Sequence, residues 1–334
     1  MIKIKRVLIT GITGFVGSHM ADYILDNFPK VQIIGLARWR SPTSNIRHIL
    51  DKITLEFGDL LDPFSLTPIL SRHKPEVIFH LAAQSYVPYS FSAPVATLTT
   101  NVIGTCNLLE AVKELKLASG YDPVVHACSS SEVYGQEKPE EVPIKEDVPL
   151  RPSSPYAVSK VAEDRLAFQY WLSWQIKTIT TRMFTHTGPR RGDVFALSNF
   201  AKQIAAIEAG LAPPVVKVGN LDSVRTFSDV RDAVKAYWLL VNKCPPGEVY
   251  NIGGNETMTI GEMLKRLIKL STVKNIKVEV DPTRLRPSDV TLQIPCSDKF
   301  IAATGWHPEI KLAQTMRDTL NYWRDYYAVE KRQR

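Results

Sequence analysis

Lys5-Arg-Val-Leu-Ile-Thr-Gly-Ile-Thr-Gly-Phe-Val-Gly-Ser-His-Met-Ala-Asp-Tyr-Ile-Leu25 is the stretch that decides the fold. The apolar run Val7-Leu8-Ile9 is short enough for a buried parallel strand, and the residues after Gly17 have helical periodicity. Between them stand Gly11, Gly14 and Gly17. This pattern predicts strand, tight turn and helix. The first glycine lets the chain reverse, the second lets backbone approach a pyrophosphate, and the third lets helix and strand pack closely. An anion would then meet unpaired N–H groups at the positive end of the helix dipole. An ordinary strand-to-helix turn also tolerates three glycines, but the position ahead of a full series of strands and helices favours the nucleotide reading. Gly11, Thr13, Gly14, Phe15, Val16 and Gly17 are the cofactor-binding residues expected here.

At 334 residues the chain has room for a doubly wound domain of roughly 200 residues and a smaller lobe. Hydrophobic residues at 44% and charged residues at 22% are ordinary globular values, so no part is expected to be disordered. Cys106, Cys128, Cys244 and Cys296 lie far apart without a C-x-x-C pair, which argues against a metal site or a disulfide framework and for a reduced, cytoplasmic setting. No signal peptide is expected, because Lys3, Lys5 and Arg6 run straight into the first strand. No apolar run is long enough to span a membrane. The net charge of +7 is spread over the chain, with no basic helix and no aromatic-rich platform, so nucleic acid is not the expected partner. A dinucleotide and a nucleotide diphosphate would account for part of the excess.

The remaining strands can be read in turn. Val31 to Arg38 is the second, and it ends without the carboxylate that would accept from ribose hydroxyls and repel a 2′-phosphate. Arg38-Trp39-Arg40 stands there, so NADP is expected rather than NAD. Ile53 to Leu60 is a third strand, in which Asp59 could accept from an adenine amino group. Val77 to Ala83 is a fourth, and Leu81, Ala82 and Ala83 at its end would let a cofactor ribose lie close to backbone. Pro63 to His73 and Asn101 to Leu117 have helical spacing. Alternation of strands and helices implies right-handed crossovers, an α/β fold with a Rossmann-like, doubly wound parallel sheet, and a ligand beyond the strands' carboxyl ends.

The fifth strand, Pro123 to Cys128, opens onto Ser129-Ser-Ser-Glu-Val-Tyr-Gly135. A polar loop over the site is expected for residues 136–150. Ser154 is then a good N-cap and Pro155 a good first residue for a helix reaching about Trp174. Tyr156 and Lys160 are four apart and project from one face of it. A tyrosine titrates near ~10 unperturbed, and an ammonium one turn away favours its phenolate. Tyr156 could thus take the proton from a sugar hydroxyl while hydride leaves for the cofactor, with Lys160 also holding the nicotinamide ribose. Ser130 can hydrogen-bond the oxygen that becomes a carbonyl. Glu132, two residues on in an extended segment, would point to the same side and remove the C5 proton that a C4 ketone makes acidic. Ser131 or a water would assist the departing 6-hydroxyl.

These motifs resemble the extended short-chain dehydrogenase/reductases that act on nucleotide sugars, and within them GDP-mannose 4,6-dehydratase and GDP-4-keto-6-deoxymannose reductase. The likeness covers nearly the whole chain. Dehydratase-like stretches are Gly35-Leu-Ala-Arg38, Leu81-Ala-Ala-Gln-Ser85, Ser130-Ser131-Glu132 with Tyr134-Gly135, and Pro189-Arg-Arg-Gly192. Reductase-like stretches are Lys217-Val-Gly-Asn-Leu221, Arg225 to Asp232, Val249 to Gly253, and Leu285 to Val290 with Thr304-Gly-Trp306. The resemblance implies cofactor contacts from His186 and Arg191, and substrate contacts from Ser85, Ser131, Thr185, Asn220, Arg225 and Arg286, the two arginines suiting the diphosphate. Dehydratases of this group usually carry Thr where Ser130 stands, and most relatives carry Asn where Thr185 stands. Serine keeps the hydroxyl; Thr185 points to a different substrate pose.

Residues 1–184 and 219–254 are expected to form the NADP-binding domain, and residues 185–218 and 255–330 the lobe for the sugar nucleotide. The implied reaction is NADP-dependent 4,6-dehydration of a GDP-hexose. A 4-keto reductase using the same residues is the alternative, with a 4-epimerase behind it and a non-catalytic nucleotide sensor as a third class. Trp39 between two arginines, in a loop that relatives use for subunit contact, points to a homodimer or homotetramer.

Overall fold

The computed structural model describes residues 3–285 and 288–333, so Arg286 lies outside the described residues. Seven strands form one all-parallel sheet. Six come first in the chain: β1 (Arg6–Thr10), β2 (Gln32–Ala37), β3 (Thr54–Phe57), β4 (Val77–His80), β5 (Val124–Ser130) and β6 (Lys177–Met183). β7 (His186–Thr187), β8 (Val215–Val218) and β9 (Val224–Asp229) lie elsewhere, and β10 (Val249–Ile252) returns to complete the order β10-β6-β5-β4-β1-β2-β3. Alternate residues of β1 serve opposite faces, Val7 and Ile9 in one core and Leu8 in the other. That two-sided burial is why the strand reads as a continuous apolar run, each such side chain being worth about 1.5–3 kcal/mol.

Strand order reverses between β1 and β4, and in open α/β sheets the ligand crevice lies at such a switch point. Here the two strand ends touch. Gly11 has φ +68°, and a Cβ on it would sit 2.9 Å from the Ala82 Cα; the Thr10 hydroxyl accepts from the N–H groups of Leu81 and Ala82, both at 3.1 Å. A Cβ on Gly17 would lie 2.3 Å from the Gly11 carbonyl oxygen, so helix α1 (Phe15–Asn27) can pack this close to the turn only through glycine.

Helices cover both faces: α2 (Pro63–His73), α3 (Val87–Ser92), α4 (Pro94–Leu98), α5 (Gly104–Ser119) and α6 (Pro155–Trp174) in the first half. A π-turn, Thr99–Ile103, joins α4 to α5, so the helical run begins ahead of the expected Asn101. α6 starts as expected, with Ser154 Oγ accepting from the Ala157 N–H at 3.1 Å and Pro155 first in the helix.

The second half adds α7 (Ala196–Glu208), α8 (Val230–Lys243), α9 (Ile260–Ile268), α10 (Asp298–Thr304) and α11 (Leu312–Gln333), with strands β11 (Glu256–Thr259), β12 (Lys277–Val280) and β13 (Leu292–Gln293). β11, β13 and β7 all pair with β9, and β12 pairs with β8. A second core joins α7, α9 and α11 through residues such as Phe200, Ile204, Leu264, Met316 and Leu320. Two expected boundaries move. β9 belongs to the smaller sheet, with Phe227 in the second core, so the segment returning to the large sheet begins at Val230 rather than at residue 219. Phe300 and Trp306, expected in the substrate lobe, lie in the first core, where Phe300 meets Tyr250 and Trp306 Nε1 donates to the Asp232 carbonyl at 3.2 Å. Large aromatics follow the deepest available core, whatever their place in the chain. Among the described residues no helix is long and apolar enough to cross a membrane.

Four imidazoles are held neutral in this frame. Burial pushes His80, His126 and His186 down to about 3 and His19 to about 4. The unfolded chain takes up protons at these groups below pH ~6.5 and the native state does not, so stability falls as pH drops through that value. Burial raises Glu137 and Glu163 to about 7, and these work in the opposite sense down to pH ~4.5. Unfolding between these limits is therefore expected to take up about two protons, a slope of roughly 3 kcal/mol per pH unit. Denaturant titrations across pH 7 to 4 would check it, and a flat stability in that range would contradict it.

Candidate active site

The carboxyl end of β5 and the first turns of α6 bring the chemical groups together. Ser130 ends β5 in an extended conformation, and its hydroxyl accepts from the Glu132 N–H at 3.2 Å and lies near enough to the Tyr156 phenol to favour its ionised form. Ser131–Val133 is a 3-10 turn, so the extended spacing expected to align Glu132 with Ser130 is absent. Their proximity comes from the serine cap on that turn instead. Glu132 is half-buried and Tyr156 buried.

Lys160 Nζ lies 5.9 Å from the centre of the Tyr156 ring, donates to the Cys128 carbonyl at 2.9 Å, and pairs with Glu163 at 2.8 Å. Burial pushes the Tyr156 phenol above its ordinary value, and the Lys160 charge and the Ser130 hydroxyl pull against it without winning. This differs from the simple expectation of a phenol acidified by its lysine. The main reason is burial; Glu163, which shares the ammonium, adds to it. Burial also works against that ammonium, but Glu163 and Tyr156 together leave it above the usual lysine value.

Behind this group, Asn101 in the π-turn donates to Ser159 Oγ at 2.9 Å and to the Gln84 carbonyl at 3.0 Å, while its Oδ1 accepts from the Gln84 N–H at 2.8 Å. It ties the end of β4 to the Tyr156 helix. A π-turn frees this side chain from the regular helical face, and nothing in the spacing of residues 94–119 announces it.

Ser131 Oγ donates to Gln293 Oε1 at 2.9 Å, and Gln293 Nε2 donates to the Ser131 carbonyl at 3.1 Å. The hydroxyl expected to assist the leaving group is thus engaged by a buried amide 162 residues away. Replacing Gln293 with leucine strands both Ser131 groups and is expected to lower stability by about 1–3 kcal/mol. Urea unfolding of the Gln293→Leu variant measures this; an unchanged midpoint would show that the pair does not support the turn.

The dinucleotide end has matching parts. Phe15 stacks on His186 with ring centres 5.8 Å apart, and the Arg191 guanidinium lies 4.9 Å from the Phe15 ring and 3.7 Å from the Phe195 ring. Burial brings Arg191 down to about 10, and burial with the Arg191 charge keeps His186 neutral. His186 Nε2 and Arg190 Nη1 are buried without a hydrogen-bond partner. Thr13 offers its carbonyl to Asn45, Val16 packs on the first core, and Gly14 is exposed. At the end of β2, Arg38, Trp39, Arg40, Phe57 and Asp59 line an open cleft of about 590 Å³. Asp59 Oδ1 accepts from the Leu61 N–H at 3.0 Å, which keeps the turn into α2 in shape. The Leu60 side chain is in the core and its carbonyl accepts from Asn107 at 2.8 Å. Ala83 is half-buried just past the Gly11 contact.

The groups expected to meet substrate divide in two. Ser85 is exposed and Thr185 is half-buried, its carbonyl taking the Ser228 N–H at 2.9 Å. Asn220 Nδ2 donates to Asp289 at 2.9 Å, and the buried Arg225 donates to the carbonyls of Val224 and Val290 with Asp289 at 4.0 Å. Strand β13 joins this cluster to Ser131, so the two halves share one scaffold.

With that geometry in view, the model of the GDP-mannose 4,6 dehydratase family matches residues 8–319. The chain belongs to this family. A GDP-6-deoxy-D-mannose reductase from Pseudomonas aeruginosa is 33% identical over 96% of this chain and 97% of its own. A GDP-mannose 4,6-dehydratase from Vibrio cholerae is 30% identical over 94% and 92%. Among solved structures, RMD from Pseudomonas aeruginosa complexed with NADPH superposes with a TM-score of 0.83 at 32% identity, covering 96% of this chain and 99% of that one. A UDP-glucose 4-epimerase from Thermotoga maritima, solved with UDP-glucose, gives a TM-score of 0.85 at 25% identity over 96% and 99%. The family's members are enzymes of nucleotide-sugar chemistry, and the short-chain dehydrogenase/reductase fold expected from the motifs is the fold found.

Proposed function

We propose that the protein is a GDP-sugar 4,6-dehydratase that uses NADP and converts a GDP-mannose-like hexose to its 4-keto-6-deoxy product. The observation that carries this is the assembly of Ser130, Tyr156 and Lys160 at the end of β5 with Glu132 on the next turn. The residues present suit NADP. A Cβ on Gly11 or Gly17 would collide with backbone, the first turn of α1 carries no acid, His186 and Arg190 keep unpartnered buried nitrogens, and Arg38 and Arg40 line the cleft at the end of β2 with charge that suits a 2′-phosphate.

Bound NADP would supply the hydride acceptor for C4 and the donor for C6, held by the residues named above. Tyr156 takes the C4 hydroxyl proton, and Lys160 stabilises the phenolate that receives it only fleetingly. Ser130 donates to the C4 oxygen as it becomes a carbonyl. Glu132 removes the C5 proton, which the neighbouring ketone has made acidic, and relays it through a water to the departing 6-hydroxyl, which leaves as water; C5 then regains a proton from solvent. His186, Arg191, Phe15 and Arg38 are assigned to the cofactor; Asn220, Arg225, Arg286, Thr185 and Ser85 are assigned to the sugar nucleotide.

A second reading, a 4-keto reductase using NADPH, draws on the P. aeruginosa relative. Incubating the purified protein with GDP-mannose and no added NADPH separates the two. A keto product supports the dehydratase; product formation from a 4-keto substrate, only when NADPH is added, supports the reductase.

A dimer fits the surface. Val158, Phe168 and Leu172 leave the outer face of α6 apolar, beside Val95 and Ile103 on the adjoining helical run. Burying such a face against a second copy removes its apolar area from water. The four free cysteines suit a reducing cytoplasm.

A further inference from the structure

The α6 sequence Tyr156-Ala-Val-Ser-Lys160-Val-Ala-Glu163 places a carboxylate one turn beyond the lysine, and the fold seals the two together. Their side chains are 5% and 3% exposed, Nζ to Oε2 is 2.8 Å, and Glu163 Oε1 is buried without a hydrogen-bond partner. The neighbouring Asp164 is already paired with Arg182 at 2.8 Å, so Glu163 is not part of that bridge.

We infer that Glu163 is a positioning residue that holds Lys160 between Tyr156 and the Cys128 carbonyl and, by sharing its ammonium, sets the pH range in which Tyr156 can act as the base. This rests on the reading of Tyr156 as that base. A buried carboxylate beside the lysine opposes formation of the phenolate and favours the ammonium. It thereby shifts both proton equilibria of the pair to higher pH. Other groups facing the pair are Cys128 and His126 on β5, His80 on β4, Tyr237 on α8, Asp164 with its partner Arg182 on β6, and, towards Tyr156, Arg191 in the segment before α7, which stays charged across the neutral range. Burial holds both histidines neutral and raises the Cys128 thiol and the Tyr237 phenol, while Arg182 offsets Asp164. Glu163 is left as the group of this set that titrates near neutrality, at about 7.

The test is the pH dependence of kcat in the wild-type protein and in Glu163→Gln, Glu163→Asp and Tyr156→Phe. Glu163→Gln keeps the shape and removes the charge, and both limbs of the profile are expected to move to lower pH by about one unit. Glu163→Asp keeps the charge and is expected to leave the limbs within a few tenths of a unit of the wild type. A tyrosinate absorbance titration, with Tyr156→Phe as the blank, should show the Tyr156 midpoint falling in Glu163→Gln without any need for turnover. Limbs and midpoint unmoved in Glu163→Gln, with activity merely reduced, would reduce Glu163 to a structural role and overturn the inference while leaving Tyr156 as base. Unchanged turnover in Tyr156→Phe would overturn the base reading itself, and the inference with it.

Discussion

Tyr156→Phe is expected to lower kcat by about a hundred- to ten-thousandfold with little change in KM. The phenol is the group at this site that can both hydrogen-bond Ser130 and accept a proton from a substrate hydroxyl, while phenylalanine keeps the ring's packing beneath Lys160. The loss should therefore fall on the chemical step. Far-ultraviolet circular dichroism should match the wild type, since one phenol oxygen is removed and no cavity is made. Steady-state assays with GDP-mannose give the value. A loss smaller than about tenfold would remove Tyr156 from the mechanism.

Glu132→Gln is expected to cost a comparable factor, about a hundred- to ten-thousandfold, but at a different bond. Its amide cannot take the C5 proton, so solvent deuterium at C5 of the product should disappear together with water loss. The backbone N–H of residue 132 still donates to Ser130 Oγ, which keeps the turn and the first proton transfer intact. A reductase would not need this carboxylate for C5 chemistry. Full activity of Glu132→Gln in keto-sugar reduction, with no dehydration by the wild type, would move the assignment to that reaction.

The parallel sheet, the glycine turn and the start of α6 were legible in the chain because each rests on local chemistry. Val7 to Ile9 is apolar on both faces, Gly11 has a left-handed φ, and Ser154-Pro155 caps a helix whose first turn carries Tyr156. Glu163 was also within reach, since three residues beyond Lys160 is the same helical face. Other parts were not legible, because they depend on contacts across the fold. Gln293 reaches Ser131 from 162 residues away, and Asn101 sits in a π-turn that helical periodicity does not reveal. Glu132 was assigned to the right neighbourhood through an extended geometry that the 3-10 turn replaces. The limits of the second core were misplaced for a related reason. Phe227 and Phe300 look alike in sequence, and only the packing of β9 and α10 sends them to opposite cores.

The most direct measurement follows a label through the reaction. GDP-mannose carrying deuterium at C4 is incubated with the purified protein and no added reductant, and the product is read by nuclear magnetic resonance. Internal transfer predicts deuterium at C6 of the 4-keto-6-deoxy sugar, with C5 carrying a hydrogen drawn from solvent. Absence of product until NADPH is supplied, or product with no deuterium at C6, would contradict the dehydratase account.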